Sequence, residues 1–73
     1  MEKGVDGLMV LKVNDTEDFN LAMNLRINWD LKYIEVTVSL WNKKKNTMRT
    51  KIFPAAEFEQ AIAYFDQEEK MFL

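Results

Sequence analysis

The sequence predicts an α+β fold: a four-stranded antiparallel β-sheet followed by one C-terminal amphipathic helix packed on one face (ββββα). Three observations predict it. Residues 21–29 and 33–41 alternate apolar and polar side chains with the period of a strand. The arms YIEVTVSLW and TMRTKIF flank the polar, basic loop NKKKN, the layout of a β-hairpin. Beyond Pro54, Phe58, Ala61, Ile62 and Phe65 recur at helical spacing.

In chain order, residues 1–7, with Gly4 and Gly7, read as a loose start. Leu8 to Val13 reads as a first strand whose two faces both look apolar. Asn14 to Asn20 has loop composition, with Asp15 placed to cap a single helical turn. The second strand turns Leu21, Met23, Leu25, Ile27 and Trp29 to one side, so Trp29 is expected in the core. Asp30, Leu31 and Lys32 then turn the chain. Pairing Trp29 with Ile34, Ile27 with Val36 and Leu25 with Val38 sets apolar on apolar.

The third strand places Ile34, Val36, Val38 and Leu40 inside. Its β-branched and aromatic residues suit a pleated surface. Setting Trp41 opposite Thr47 brings Met48 and Ile52 to that same inner side. Glu35, Thr37, Ser39, Trp41, Arg49 and Lys51 then share the outer one, and Phe53, of outer parity, wraps the start of the helix. Pro54 fits the first helical turn, where its missing N–H costs nothing. Glu57, Glu59, Gln60, Asp66 and Gln67 are expected to face water, and Glu68 and Glu69 to form the wet end of the helix.

Seventy-three residues make one small domain. With no cysteine and no histidine, there is no disulfide, no thiol or imidazole metal site, and no Cys–His or Ser–His nucleophile. The two glycines, Gly4 and Gly7, leave no phosphate-binding loop. The expectation is a protein that is not an enzyme and needs no cofactor. No signal peptide or membrane span is legible, which with the absent cysteine fits the cytoplasm. A core of this size rarely supplies more than about 3–5 kcal/mol, so a homodimer is expected, with Met71, Phe72 and Leu73 packing on the second copy.

Charge is segregated along the chain. Residues 1–19 hold two cations against five anions, residues 20–53 seven against two, and residues 54–73 one against five. The basic middle and the open sheet face together point to single-stranded nucleic acid. On that reading Arg26, Lys43, Lys44, Lys45, Arg49 and Lys51 bind phosphates while Trp41 and Tyr33 stack on bases. The same lysines also suit a plain role, keeping a hairpin tip soluble and guarding an edge strand. An alternative function is a protein-interaction module, such as a small phage or mobile-element regulator. It would use the acidic helix, the apolar C-terminus or an open strand edge.

From Leu21 onward the chain resembles the DNA-binding domain of the positive-cofactor-four family of transcriptional coactivators. The resemblance rests on YIEVTVSLW ending in Trp41, the polar basic loop, the run Lys51-Ile52-Phe53-Pro54 and the helix AEFEQAIAYF. It implies a strongly curved antiparallel sheet followed by a helix, dimerisation, and single-stranded nucleic acid bound on the sheet. Trp41, Arg49 and Lys51 would then lie near the binding surface.

Overall fold

A computed structural model describes residues 7–73, so the expected loose start, Gly7 excepted, lies outside the described residues. The elements are β1 (Gly7–Asp15), β2 (Phe19–Asn28), β3 (Tyr33–Asn42), β4 (Thr47–Pro54), a single 3-10 turn (Ala55–Glu57) and α1 (Phe58–Phe72). The strands pair in chain order, each antiparallel to the next, with α1 on one face. The ββββα fold is therefore the one expected. The expected loop at 14–20 is shorter: β1 runs on to Asp15 and β2 starts at Phe19, with Thr16 bridging them. Its N–H donates to the Phe19 carbonyl (2.8 Å), and its Oγ1 accepts the Phe19 N–H (3.1 Å).

The covered face is built from Leu21 and Met23 of β2, Val36, Val38 and Leu40 of β3, and Phe53 of β4, under Ala61 and Phe65 of α1. Phe65, Leu21, Val36 and Val38 are essentially sealed from solvent. Each contributes roughly 1.5–3 kcal/mol of burial. A bulge in β1 between Val10 and Lys12 resolves the two-faced look of that strand. Leu11 packs on the core, and Lys12, opposite Met23, also turns to the helix side, where its Nζ lies 4.8 Å from the Phe65 ring centroid.

Both long hairpins depart from the expected register, for one shared reason. In the β2–β3 hairpin Asn28 pairs with Tyr33, and in the β3–β4 hairpin Asn42 pairs with Thr47. Each pair closes a loop in which the Asn Oδ1 accepts a backbone N–H three residues on: Leu31 at 2.9 Å, Lys45 at 3.1 Å. Each loop then ends on a left-handed residue, Lys32 (φ 55°) or Asn46 (φ 53°). Asn side chains close such turns by mimicking a backbone acceptor.

In the first hairpin this moves the register by two residues, so faces are kept. Ile27 meets Ile34 and Leu25 meets Val36, and Trp29 leaves the core for the loop, 62% exposed. In the second hairpin it moves the register by one. Trp41 faces Met48, not Thr47, and every residue of β4 changes sides. Phe53 thereby joins the core opposite Val36, while Met48 and Ile52 turn outward.

The helix differs in three respects. Pro54 ends β4 rather than opening α1, and Phe58 stays largely exposed while Ala61 and Phe65 are buried. Nor are its last acidic residues a wet end: Glu68 is only 4% exposed, and Glu69 Oε2 accepts a 2.7 Å hydrogen bond from Asn14 Nδ2. Lys12 reaches Asp66 at 3.5 Å. Phe72 folds back onto Phe19, ring centroids 5.6 Å apart, which leaves Met71 and Leu73 as the exposed part of the C-terminal trio.

Candidate interaction surface

The face of the sheet opposite α1 is uncovered, and its composition follows from the register. Four rows cross it from β1 to β4. The first is Leu8, Arg26, Glu35 and Pro54; the second Val10, Asn24, Thr37 and Ile52. The third is Val13, Ala22, Ser39 and Thr50; the fourth Asp15, Asn20, Trp41 and Met48. Apolar side chains line the two edge strands and polar ones the middle. Seven large side chains on this face, Leu8, Val10, Val13, Tyr33, Trp41, Met48 and Ile52, are each 39–67% exposed. Exposed apolar side chains in that number on one face of a small domain mark an interaction surface.

The polar middle is internally satisfied. Arg26 Nη1 lies 3.6 Å from Glu35 Oε2, directly across the β2–β3 ladder. Tyr33 Oη donates a 2.8 Å hydrogen bond to Glu35 Oε1, which pushes the tyrosine above its ordinary pKa because deprotonation would set two anions together. Under these two side chains Glu35 is 7% exposed although it stands on the open face. Ser39 Oγ and Thr50 Oγ1 share a 3.0 Å hydrogen bond one row further along.

The residues expected to bind nucleic acid separate into three places. Arg26, Tyr33 and Trp41 stand on the open face. Lys43, Lys44 and Lys45 occupy the β3–β4 loop, where two of them turn back to the β1–β2 loop. Lys43 Nζ lies 2.8 Å from Asp15 Oδ1 and donates to the Thr16 carbonyl at 2.7 Å, and Lys44 faces Asp18 at 3.6 Å. The hydrogen bonds from Lys43 and then Asn20 hold the Asp15 carboxyl below the ordinary aspartate range.

Arg49 and Lys51 lie on the helix side, contrary to their expected place beside Trp41, because of the one-residue shift in β4. Arg49 pairs with Glu68, which holds the guanidinium still more firmly in its charged form, and its Cζ stands 5.3 Å from the Phe72 ring. Lys51 Nζ sits 5.1 Å from the Tyr64 ring and 5.5 Å from that of Phe53.

What the sequence reading missed is the pair Met48 and Ile52, placed inside when they are outside, and the β1 residues Leu8, Val10 and Val13. The available signal was Asn42 and Asn46 bracketing the lysines, the turn chemistry that closes the loop one residue later.

No helix of the described residues is long and apolar enough to cross a membrane, and no group of three or more acidic side chains among them is placed to hold a metal ion. Compared with family models, curated proteins and solved structures, the chain matches none.

Proposed function

We propose that this chain is a non-enzymatic protein-interaction module that binds its partner on the open face of the sheet. One observation carries the reading: the face presents seven exposed large apolar side chains, while its charged ones are Asp15, Arg26 and Glu35 alone among the described residues. Such a face gains by shedding water against another apolar surface. A phosphate backbone calls for a field of cations, whereas Arg26 is the one cation on this face among the described residues, and Lys43, Lys44, Lys12 and Arg49 pair with Asp15, Asp18, Asp66 and Glu68.

The test is site-specific photo-crosslinking in the cells that express the protein, with a photoreactive side chain at Thr37 on the open face and, as control, at Gln67 on α1. A protease-sensitive adduct from position 37 that disappears with Ile52→Lys is the expected result. No adduct, or equal adducts from both positions, would overturn the reading.

Single-stranded nucleic acid on the same face is a second reading. It is favoured by Trp41, exposed on the last row beside the loop of Lys43, Lys44 and Lys45. It expects affinity that falls with salt and weakens in Trp41→Ala, measured by anisotropy titration of labelled oligonucleotides. It also expects the adduct at position 37 to be nuclease-sensitive.

A further inference from the structure

We infer that the partner on the open face is a second copy of this chain, packed sheet on sheet about a two-fold axis that runs parallel to the strands between β2 and β3. The inference rests on the interaction-module reading and adds to it the partner and the geometry.

Area is the first argument. At roughly 100 Å² of exposed surface apiece, the seven apolar side chains offer about 700 Å², close to the roughly 800 Å² that each partner contributes to a standard interface. A domain of 73 residues supports only a small core of its own, so burying this face adds to its stability.

Complementarity is the second, and it selects the axis. A two-fold axis along the strands exchanges β1 with β4 and β2 with β3 and keeps every row at its own height. Val10 then lies over Ile52 of the second copy and Leu8 over its Pro54, apolar on apolar, while Val13 lies over its Thr50 and Asp15, at the end of the face, over its Met48. In the first row the ion pair of Arg26 and Glu35 within each copy lies over that of the other in the opposite sense, cation over anion, so the two pairs meet without like charges facing. Asn24 lies over Thr37, where amide and hydroxyl can exchange a hydrogen bond.

A two-fold axis perpendicular to the strands sets β1 on β1 and turns the row order end for end, which brings no cation onto an anion. Packed sheets stand about 10 Å apart and cross at about 30°, displacing the edge strands by about one residue, so facing rows stay within side-chain reach.

The experiment is sedimentation equilibrium of the full chain and of Val10→Glu and Ile52→Lys, alone and mixed. Both positions are more than half exposed in the monomer, so neither substitution attacks the core, and circular dichroism verifies the fold. The expected result is a dimer for the unaltered chain. Each variant alone should dissociate at least about tenfold more readily, because a charge is buried against an apolar residue. Mixing the two sets the introduced carboxylate of Val10→Glu against the introduced ammonium of Ile52→Lys at one site and restores Ile52 against Val10 at the other. A heterodimer within about threefold of the original affinity should then form. Met71→Glu, outside the face, should leave association unchanged.

A monomer up to about 1 mM would overturn the inference. So would a dimer indifferent to both substitutions, or variants that do not rescue each other. The crosslink at Thr37 separates the two failures. A polypeptide adduct to a different protein removes self-association and keeps the interaction module; no polypeptide adduct removes both.

Discussion

Arg49 Nη2 stands 2.5 Å from Glu68 Oε1 across the junction of sheet and helix, and the two ends of that bond are unequal: the Glu68 side chain is 6% exposed, that of Arg49 57%. The carboxylate has given up its water and depends on one cation. The guanidinium keeps its own water and lies along the Phe72 ring.

That asymmetry predicts unequal mutants. Arg49→Ala leaves a buried carboxylate without its cation and should cost about 1–3 kcal/mol, below a fully enclosed pair because water can enter where Arg49 stood. Glu68→Gln keeps a hydrogen-bonding group of the same shape and should cost about 1 kcal/mol or less. Urea denaturation of both variants checks the order; equal losses would mean the contact is only packing.

The core contrast is sharper. Phe65→Ala opens a cavity beneath the helix and should cost about 3–5 kcal/mol. Trp29→Ala, at an exposed loop position, should fall within about 0.5 kcal/mol. Acrylamide quenching of a Trp41→Phe variant should find the Trp29 fluorescence readily accessible in the native protein, where a core indole would be shielded.

Asp15 gives an acid-side prediction. Lys43 holds its carboxyl below the ordinary aspartate range, so the contact contributes stability above that range and loses it as pH falls through the lowered value. Carboxyl carbon NMR should place the Asp15 midpoint below the ordinary aspartate value. Lys43→Met should move it back up.

Tyr33 gives the alkaline counterpart. Its bond to Glu35 raises its pKa, so the contribution is complete below the ordinary tyrosine value and is lost as pH rises through the raised one. Ultraviolet titration in a Tyr64→Phe background should show late ionisation of Tyr33, and Glu35→Gln should bring it earlier.

How much of this was legible in the sequence depends on what kind of signal each feature leaves. The strands of 21–29 and 33–41 and the stripe of Ala61 and Phe65 are periodic, and periodicity reports element type directly. The face of a strand depends on its register, and register was decided here by loop chemistry: Asn42 and Asn46 set β4 one residue from the pairing that groups its apolar residues with the core. Met48 and Ile52 broke the rule that apolar goes inside, and a rule applied to one strand at a time has no way to see it. Charge misled for a related reason. The basic middle segment is basic only along the chain; in space Lys43 and Lys44 meet the β1–β2 loop, and Arg49 meets the helix.

The two hairpins supply the last prediction, because they share one construction with different residues at its strained position. Lys32 and Asn46 both hold positive φ, a region that costs most L residues roughly 1–2 kcal/mol and asparagine less. Lys32→Gly should therefore stabilise the fold by about 0.5–1 kcal/mol, part of the relief being offset by glycine's greater freedom when unfolded. Asn46→Gly should change stability by less than about 0.5 kcal/mol, since asparagine already tolerates the geometry. Asn46→Val should cost about 1–2 kcal/mol, and by loosening the loop it should free β4 to slip toward the register in which Met48 and Ile52 face the core. Hydrogen exchange across the β3–β4 ladder reads that slip directly. Amide protection that stays intact in Asn46→Val would mean the register is held by Phe53 in the core rather than by the turn.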